Sequence, residues 1–269
     1  VSAPVVTLLT DYGPHSEHVG ALHAVLVAAD PGIVRVDFAH DIPLGDVRFG
    51  AIVLARLAVL LPGAVHLCVV DPGVGSDRRA LAVRLADGGA LVGPDNGLLG
   101  PAAAAIGAVA AVALPGHSGT SKTFDGRDAF APAAVRLALG VALDRLGAPV
   151  DPADIAAPPL PEPRISSGLL VAEVLGYDRF GNVELLARAE HAVAAGIRGG
   201  AQIEVHGPRG GHAAMVATTF GDVPRGSLLV YVDSHGYLSV AANGGDAAAL
   251  LGAGAGATLA VALAPAPDR

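Results

Sequence analysis

Val65-His66-Leu67-Cys68-Val69-Val70 runs without a break into Asp71-Pro72-Gly73-Val74-Gly75. A valine-rich run of this length, bounded by Pro62-Gly63 before it and an Asp-Pro-Gly turn after it, reads as a strand buried on both faces, as a parallel sheet requires. The same unit occurs upstream, where Val5-Val6-Thr7-Leu8-Leu9-Thr10 ends in Asp11-Tyr12-Gly13. A helix is expected from Val19 to Ala28, stopped by Asp30-Pro31-Gly32. A second strand follows over Ile33 to Phe38, and a second helix over Asp46 to Leu61. Downstream, Leu81 to Leu85 and Ala90 to Val92 lead to the turn Gly93-Pro94-Asp95-Asn96-Gly97, and Pro132 stands in the first turn of a helix expected over Ala131 to Leu139. Strands alternating with helices predict an α/β domain with a mostly parallel sheet.

The texture then changes. Ala148 to Pro163 reads APVDPADIAAPPLPEP, a composition that favours an extended connector over a packed element. Beyond it, Leu169 to Leu175, Gly200 to Val205, Ser227 to Val232 and Thr258 to Leu263 are short strands separated by turn signals. The expected organisation is an α/β domain over residues 1–150, a Pro-rich linker over 151–164, and a smaller antiparallel, barrel-like β domain over 165–269.

Composition narrows the function. With 17 Lys plus Arg against 25 Asp plus Glu, the formal charge of the 269 residues is 17 − 25 = −8. No basic cluster offers the footprint that a nucleic-acid backbone needs, so nucleic acid is not expected as a partner. No apolar run is long enough to span a membrane and Val1 to Thr10 lacks the charged region of a signal peptide, so the cytoplasm is the expected compartment. Cys68 is the single cysteine, so an intrachain disulfide is impossible, and its place inside a strand marks it as a small core hydrophobe. Hydrophobic residues are 52% and charged residues only 16%, leaving apolar surface for subunit contacts; an oligomer is expected.

Ligands of open parallel sheets bind beyond the carboxyl ends of the strands. Four loops meet that condition: Thr10-Asp11-Tyr12-Gly13, His40-Asp41-Ile42, Asp71 to Gly75, and Pro94-Asp95-Asn96-Gly97. Asp, Asn, Pro and Gly are also simply what turns are made of, but four such loops at strand ends point to a site. Gly73-Val74-Gly75 lacks the third glycine of a dinucleotide loop and no Gly-Lys-Ser/Thr follows, which sets aside phosphate cradling. His15, His18 and His23 lie at spacings that put them near one helical face, without the pattern of a common zinc site. Asp11, Asp71 and Asp95 provide the physical basis for an alternative, a Mg²⁺-dependent phosphohydrolase. A Ser-His-Asp hydrolase lacks its GxSxG elbow.

Three blocks carry a resemblance: Val69-Val70-Asp71-Pro72-Gly73-Val74-Gly75-Ser76-Asp77-Arg78-Arg79, then Pro94-Asp95-Asn96-Gly97-Leu98-Leu99, then Thr123-Phe124-Asp125-Gly126-Arg127-Asp128-Ala129-Phe130-Ala131-Pro132. Together they look like the S-adenosyl-L-methionine hydroxide adenosyltransferase family, relatives of the fluorinases and chlorinases. Thr10-Asp11-Tyr12-Gly13, Asp178-Arg179-Phe180-Gly181-Asn182 and Asp233-Ser234-His235-Gly236-Tyr237-Leu238 resemble the family's remaining motifs, in family order over nearly the whole chain. The resemblance implies attack of water or hydroxide on C5′ of S-adenosylmethionine, giving adenosine and L-methionine with no cofactor or metal, in a homotrimer. A non-catalytic adenosine or S-adenosylmethionine binding protein is a second alternative.

By the same resemblance, Asp71 and Arg78 match two members of an Asp-Arg-His set that positions and activates water. The third, a histidine after Thr-Phe, is replaced by Asp125. Two carboxylates are then expected to share a pocket, where one pKa rises unless Arg78 or the substrate's sulfonium compensates, and Asp125 either takes over as proton acceptor or marks a slower or altered enzyme. A carboxylate here is also the residue type that caps a helix start. Asp11 matches the ribose contact, Phe180 and Phe220 aromatic positions near the adenosine, and Asn182 an adenine contact. Asp178, Ser234 and His235 match positions at the amino acid end. Where the fluorinase has a halide-contacting serine this chain has Gly126, and where it has a pocket tyrosine this chain has Asp71. A carboxylate beside the nucleophile repels halide, so hydroxide transfer is favoured over halogenation.

Overall fold

The structure, a computed structural model, describes residues 3–115 and 123–265. It contains two compact units, Val1–Pro159 and Leu160–Arg269. In the first, β1 (Val5–Thr10), α1 (Glu17–Ala29), β2 (Val34–Ala39), α2 (Val47–Ala58) and β3 (Val65–Val69) follow the expected alternation. Then come β4 (Ala80–Leu85), β5 (Ala90–Pro94), α3 (Gly100–Ile106), β6 (Ala108–Ala113), α4 (Ala131–Ala138) and β7 (Ala148–Val150). The sheet order is β2-β1-β3-β5-β4-β6-β7. β2, β1, β3 and β5 pair in parallel, while β4, β6 and β7 add antiparallel pairings, so that only β4 and β7 run against the common direction.

Local signals set the element limits. Ser16 caps α1 by accepting the His18 amide, and Asp46 caps α2 by accepting that of Phe49. β3 and β5 are buried along their whole length, the state their unalternating sequences require. Two clusters of buried Leu, Val and Ala, one containing Leu8, Leu22 and Phe130 and the other Leu9, Leu54 and Leu91, cover opposite faces of the sheet. The helix α3 and strand β6 were not signalled by the sequence, because Pro101 to Ala113 is too alanine-rich to show a period. The Pro-rich segment is more ordered than its composition suggests. Its first residues pair with β6 as β7, Pro152–Asp154 form a 3-10 turn, and the backbone at Ala156 and Ala157 packs so closely on Gly100 that a Cβ there would collide with it.

The second unit contains β8 (Arg164–Ser166), β9 (Leu169–Tyr177), β10 (Val183–Arg188), α5 (Ala189–Ala194), β11 (Gln202–Gly207), β12 (Gly210–Val216), β13 (Leu228–Val232), β14 (Tyr237–Ala242), α6 (Ala247–Leu251) and β15 (Thr258–Leu263). The ring β10-β14-β13-β12-β11-β15-β9 closes through the β10–β9 pairing, giving a seven-stranded barrel with β8 appended to β9. The barrel is mixed rather than wholly antiparallel. β12 and β13 pair in parallel because the chain between them, Ala217 to Ser227, crosses over instead of turning as a hairpin.

Two expected outcomes follow from this packing. A Cβ at Gly93 would meet the Cys68 carbonyl inside the central β3–β5 pair, so Gly93→Ala lowers the melting temperature. Gly20→Ala, on the exposed face of α1 with open space around it, raises stability by about 0.5–1 kcal/mol. His66 is fully buried, with Nδ1 2.8 Å from Thr7 Oγ1 and its ring stacked on Phe38, and burial lowers its pKa to about 4 against an opposing effect of Asp87. Between pH 6.5 and about 4 the unfolded chain therefore takes up a proton that the folded chain refuses. Stability is lost as pH falls through that window, by roughly 3 kcal/mol in total, and urea midpoints against pH for wild type and His66→Gln measure it.

Candidate active site

Asp71 follows the buried end of β3, and the turn after it is closed by the Ser76 hydroxyl, which donates to the Gly73 carbonyl at 2.7 Å. That turn brings Arg78 back over Asp71. The Arg78 Nε donates to Asp71 Oδ1 at 3.0 Å, while its Nη2 bonds both Asp71 Oδ2 and Asp125 Oδ2. One guanidinium thus clamps two carboxylates. All three side chains are nearly buried, with exposures of 11%, 5% and 4% for Arg78, Asp71 and Asp125. Burial works against the charged guanidinium, but hydrogen bonds and charges from Asp71 and Asp125 outweigh it and raise the Arg78 pKa, so the cation persists. Removing one partner from a buried group of this kind costs about 3–5 kcal/mol.

Asp125 is delivered by an unusual turn. Residues Gly126–Phe130 form a wide helical turn in which the Ala131 amide reaches back to the Gly126 carbonyl, an i→i+5 bond, before α4 begins. Asp125 makes no capping bond to this turn, so it is not a helix cap. The Phe130 ring lies under the Arg78 guanidinium, 5.3 Å from its carbon, as a cation-π floor. Gly126 is required sterically: a Cβ there would strike the Tyr12 hydroxyl. Tyr12 packs against Phe124 and His18, with ring centroids 5.9 and 5.4 Å away. Burial first, and then the charges of Asp11, Asp71 and Asp125, push its phenol well above the usual range, so it stays protonated. A pocket of about 280 Å³ opens beside the cluster, lined by Ser76, Arg78, Asp125 and Ala129 among others.

The neighbouring carboxylates have separate duties. Asp11 Oδ2 accepts the Gly45 amide at 2.9 Å, pinning the loop after β2, where Gly45 has φ +71°. Asp95 accepts Arg79 Nε at 2.6 Å and the Ala156 amide at 2.9 Å. Asn96 ties the same loop to β3 by donating to the Val70 carbonyl at 2.9 Å. Asp11, Asp71 and Asp95 do not converge as metal ligands among the described residues, which removes the structural basis of the Mg²⁺ alternative. Nor do His15, His18 and His23 share a site, since His18 lies in the Tyr12–Phe124 aromatic group and His23 faces Asp37.

In the barrel unit, Asp178, Phe180, Asn182 and Phe220 line one open cleft of about 860 Å³. Asp178 organises its own loop: Oδ1 accepts the amides of Phe180 and Asn182 at 2.8 and 3.0 Å, and Oδ2 accepts Asn182 Nδ2 at 2.8 Å. Phe180 is 70% exposed and Phe220 41%, so both present open ring faces instead of core packing. Ser234 and His235 lie elsewhere, exposed on the β13–β14 turn that Asp233 holds by accepting the amides of His235 and Tyr237. Sequence reasoning missed Tyr12, Tyr231 and Asp246. The signals were present, in that Tyr12 is inside the Thr10-Asp11-Tyr12-Gly13 motif and Asp246 caps α6, but the face each presents was not.

An α/β unit with a buried Asp-Arg-Asp cluster at its strand ends, followed by a mixed barrel with an aromatic cleft, defines the class. The family model described as the SAM hydroxide adenosyltransferase N-terminal domain matches residues 6–147, and that of the C-terminal domain matches residues 172–260. The chain belongs to the SAM hydroxide adenosyltransferase family. It is 47% identical over 258 residues to the (R)-S-adenosyl-L-methionine hydrolase of Salinispora tropica, covering 93% of this chain and 94% of that protein. Similarity to a fluorinase from an Actinoplanes species is lower, 26% over 273 residues, covering 89% of this chain and 91% of that one. Among solved structures, an uncharacterized conserved protein from Thermotoga maritima superposes with a TM-score of 0.88 at 32% identity, covering 96% of this chain and 99% of that one.

The steric dependence of Gly126 on Tyr12 is measurable. Gly126→Ser is expected to destabilise the unit by about 1–3 kcal/mol through overpacking. Tyr12→Ala combined with Gly126→Ser should cost less than the two single changes added, which denaturant melts of the four proteins would read as a coupling.

Proposed function

We propose that this chain hydrolyses S-adenosyl-L-methionine: a water oxygen attacks C5′ of the ribose, the C5′–S bond breaks, and methionine leaves as a neutral thioether while adenosine forms. The Asp71–Arg78–Asp125 clamp, in a chain of this family, carries the reading. The sulfonium needs no acid, but the attacking water, with a free pKa of about 15.7, needs a proton acceptor and a fixed direction. Arg78 supplies a rigid fork and the two carboxylates supply acceptor oxygens, with Asp125 doing the work assigned elsewhere in the family to a histidine. One cation set between two carboxylates leaves the ionised cluster with an excess negative charge. That charge attracts a sulfonium and repels halide, which favours hydroxide transfer.

In this reading Asp11 receives the ribose hydroxyls on the acceptor sites that Gly45 leaves open. Phe180 and Phe220 stack near the adenosine and Asn182 contacts the adenine. Asp178 faces the amino acid ammonium with lone pairs not used in its loop, and Ser234 and His235 meet the methionine carboxylate. No cofactor or metal takes part in the step, and the assembly is a homotrimer. Among the described residues no helix is long and apolar enough to cross a membrane.

Chromatography of the protein incubated with S-adenosylmethionine and excess chelator tests the reaction, with adenosine and methionine in equal amounts as the expected result. Asp125→Asn is expected to lower kcat by about 10²–10⁴ while substrate binding by calorimetry is kept. Undiminished turnover in that variant would remove Asp125 from the chemistry. Binding without turnover in the wild type would make the chain an S-adenosylmethionine-binding protein instead.

A further inference from the structure

His23 on α1, Asp37 on β2 and His40 just after β2 converge at the edge of the α/β sheet. His23 Nε2 lies 3.0 Å and His40 Nε2 3.1 Å from the same oxygen, Asp37 Oδ1. Each residue offers one ligand atom and all three atoms lie within 4.8 Å of one another. From these positions we infer that the three side chains form a binding site for a Zn²⁺-class divalent cation.

Two of the three ligand-atom separations suit the ion. Bonds of about 2.0–2.1 Å in a tetrahedron place ligand atoms roughly 3.4 Å apart, within a few tenths of an ångström of the two nitrogen–oxygen separations. A simple hydrogen-bonded relay would aim a ring N–H of each histidine at Asp37. His40 Nε2 is instead buried without a hydrogen-bond partner, although it faces the carboxylate and its residue is only 8% exposed. Its other nitrogen, Nδ1, is 2.9 Å from Thr10 Oγ1, which orients the ring as outer partners of metal-bound histidines do. Asp37 is half-exposed, so the fourth position faces solvent and takes water. Two imidazoles and one carboxylate select borderline ions such as Zn²⁺, Co²⁺ or Ni²⁺ over Mg²⁺ or Ca²⁺, which prefer all-oxygen shells.

Such an ion clamps α1 to the edge strand and, through His40 and Thr10, to the end of β1 that precedes Asp11. The inference does not rest on the hydrolase reading, because no group of the Asp71–Arg78–Asp125 clamp takes part in it. The chain carries ten histidines, so the test must separate this site from adventitious surface binding. Tag-free protein stripped with chelator is titrated with Zn²⁺ by calorimetry and with Co²⁺ by visible absorption. The expected result is one equivalent bound with Kd below about 1 µM, a tetrahedral Co²⁺ spectrum, and a Zn²⁺-dependent rise in Tm. His23→Gln and Asp37→Asn, changes at partly exposed positions, each weaken binding at least about 10-fold and remove the Co²⁺ band, while circular dichroism shows the fold retained. Wild-type binding no tighter than that of His23→Gln, or several weak equivalents insensitive to both substitutions, would overturn the inference.

Discussion

One guanidinium shared by two buried carboxylates is the constraint around which the first unit is arranged. Arg78 cannot be withdrawn from between Asp71 and Asp125 without leaving like charges facing each other in a region of low dielectric. The sequence-distant partners are brought together by three devices. β3 carries Asp71 to the end of a fully buried strand, the Ser76 turn folds the chain back, and the wide turn at Gly126–Phe130 presents Asp125 from the start of α4. The clamp makes the local packing dependent on it in return. Phe130 lies beneath the guanidinium, and Tyr12, held protonated by burial and by surrounding carboxylates, occupies the space over Gly126.

The same arrangement separates groups that look equivalent in the sequence. Asp11, Asp71 and Asp95 all follow buried strands of one sheet, yet each has a different task. Asp11 pins the Gly45 loop, Asp71 holds Arg78, and Asp95 anchors Arg79 and the segment beyond β7. Carboxylates that each accept a strong donor of their own are poor candidates for a shared cation. In the barrel unit, Asp178 and Asp233 likewise spend most of their acceptor capacity on backbone amides, which fixes two loops on which exposed side chains are displayed.

Much of this was legible in advance for identifiable reasons. β1, β2, β3, α1 and α2 were located because valine runs, Asp-Pro-Gly stops and Ser or Asp caps are local signals, correct to within a few residues. Asp71, Arg78 and Asp125 were singled out through motif resemblance, and in the fold Arg78 bonds both carboxylates. α3, β6 and β7 were not legible. Alanine has no preferred face, and a proline-containing segment pairs at a sheet edge where one missing donor is tolerated. The parallel β12–β13 pairing was equally hidden, because pairing direction depends on how the barrel closes rather than on strand composition.

The amino-acid sequence by itself determined the two element textures, the parallel core of the first unit, the family motifs and the replacement of a histidine by Asp125. These depend on period, turn chemistry and residue identity, which are local. The tertiary structure alone decided which side chains meet. It set Tyr12 against Gly126, His23 against Asp37 and His40, and Asp95 against Arg79. The physical reason is that contact across an i to j separation of tens of residues is set by strand order and by the entry angle of each helix, and no local interaction encodes either.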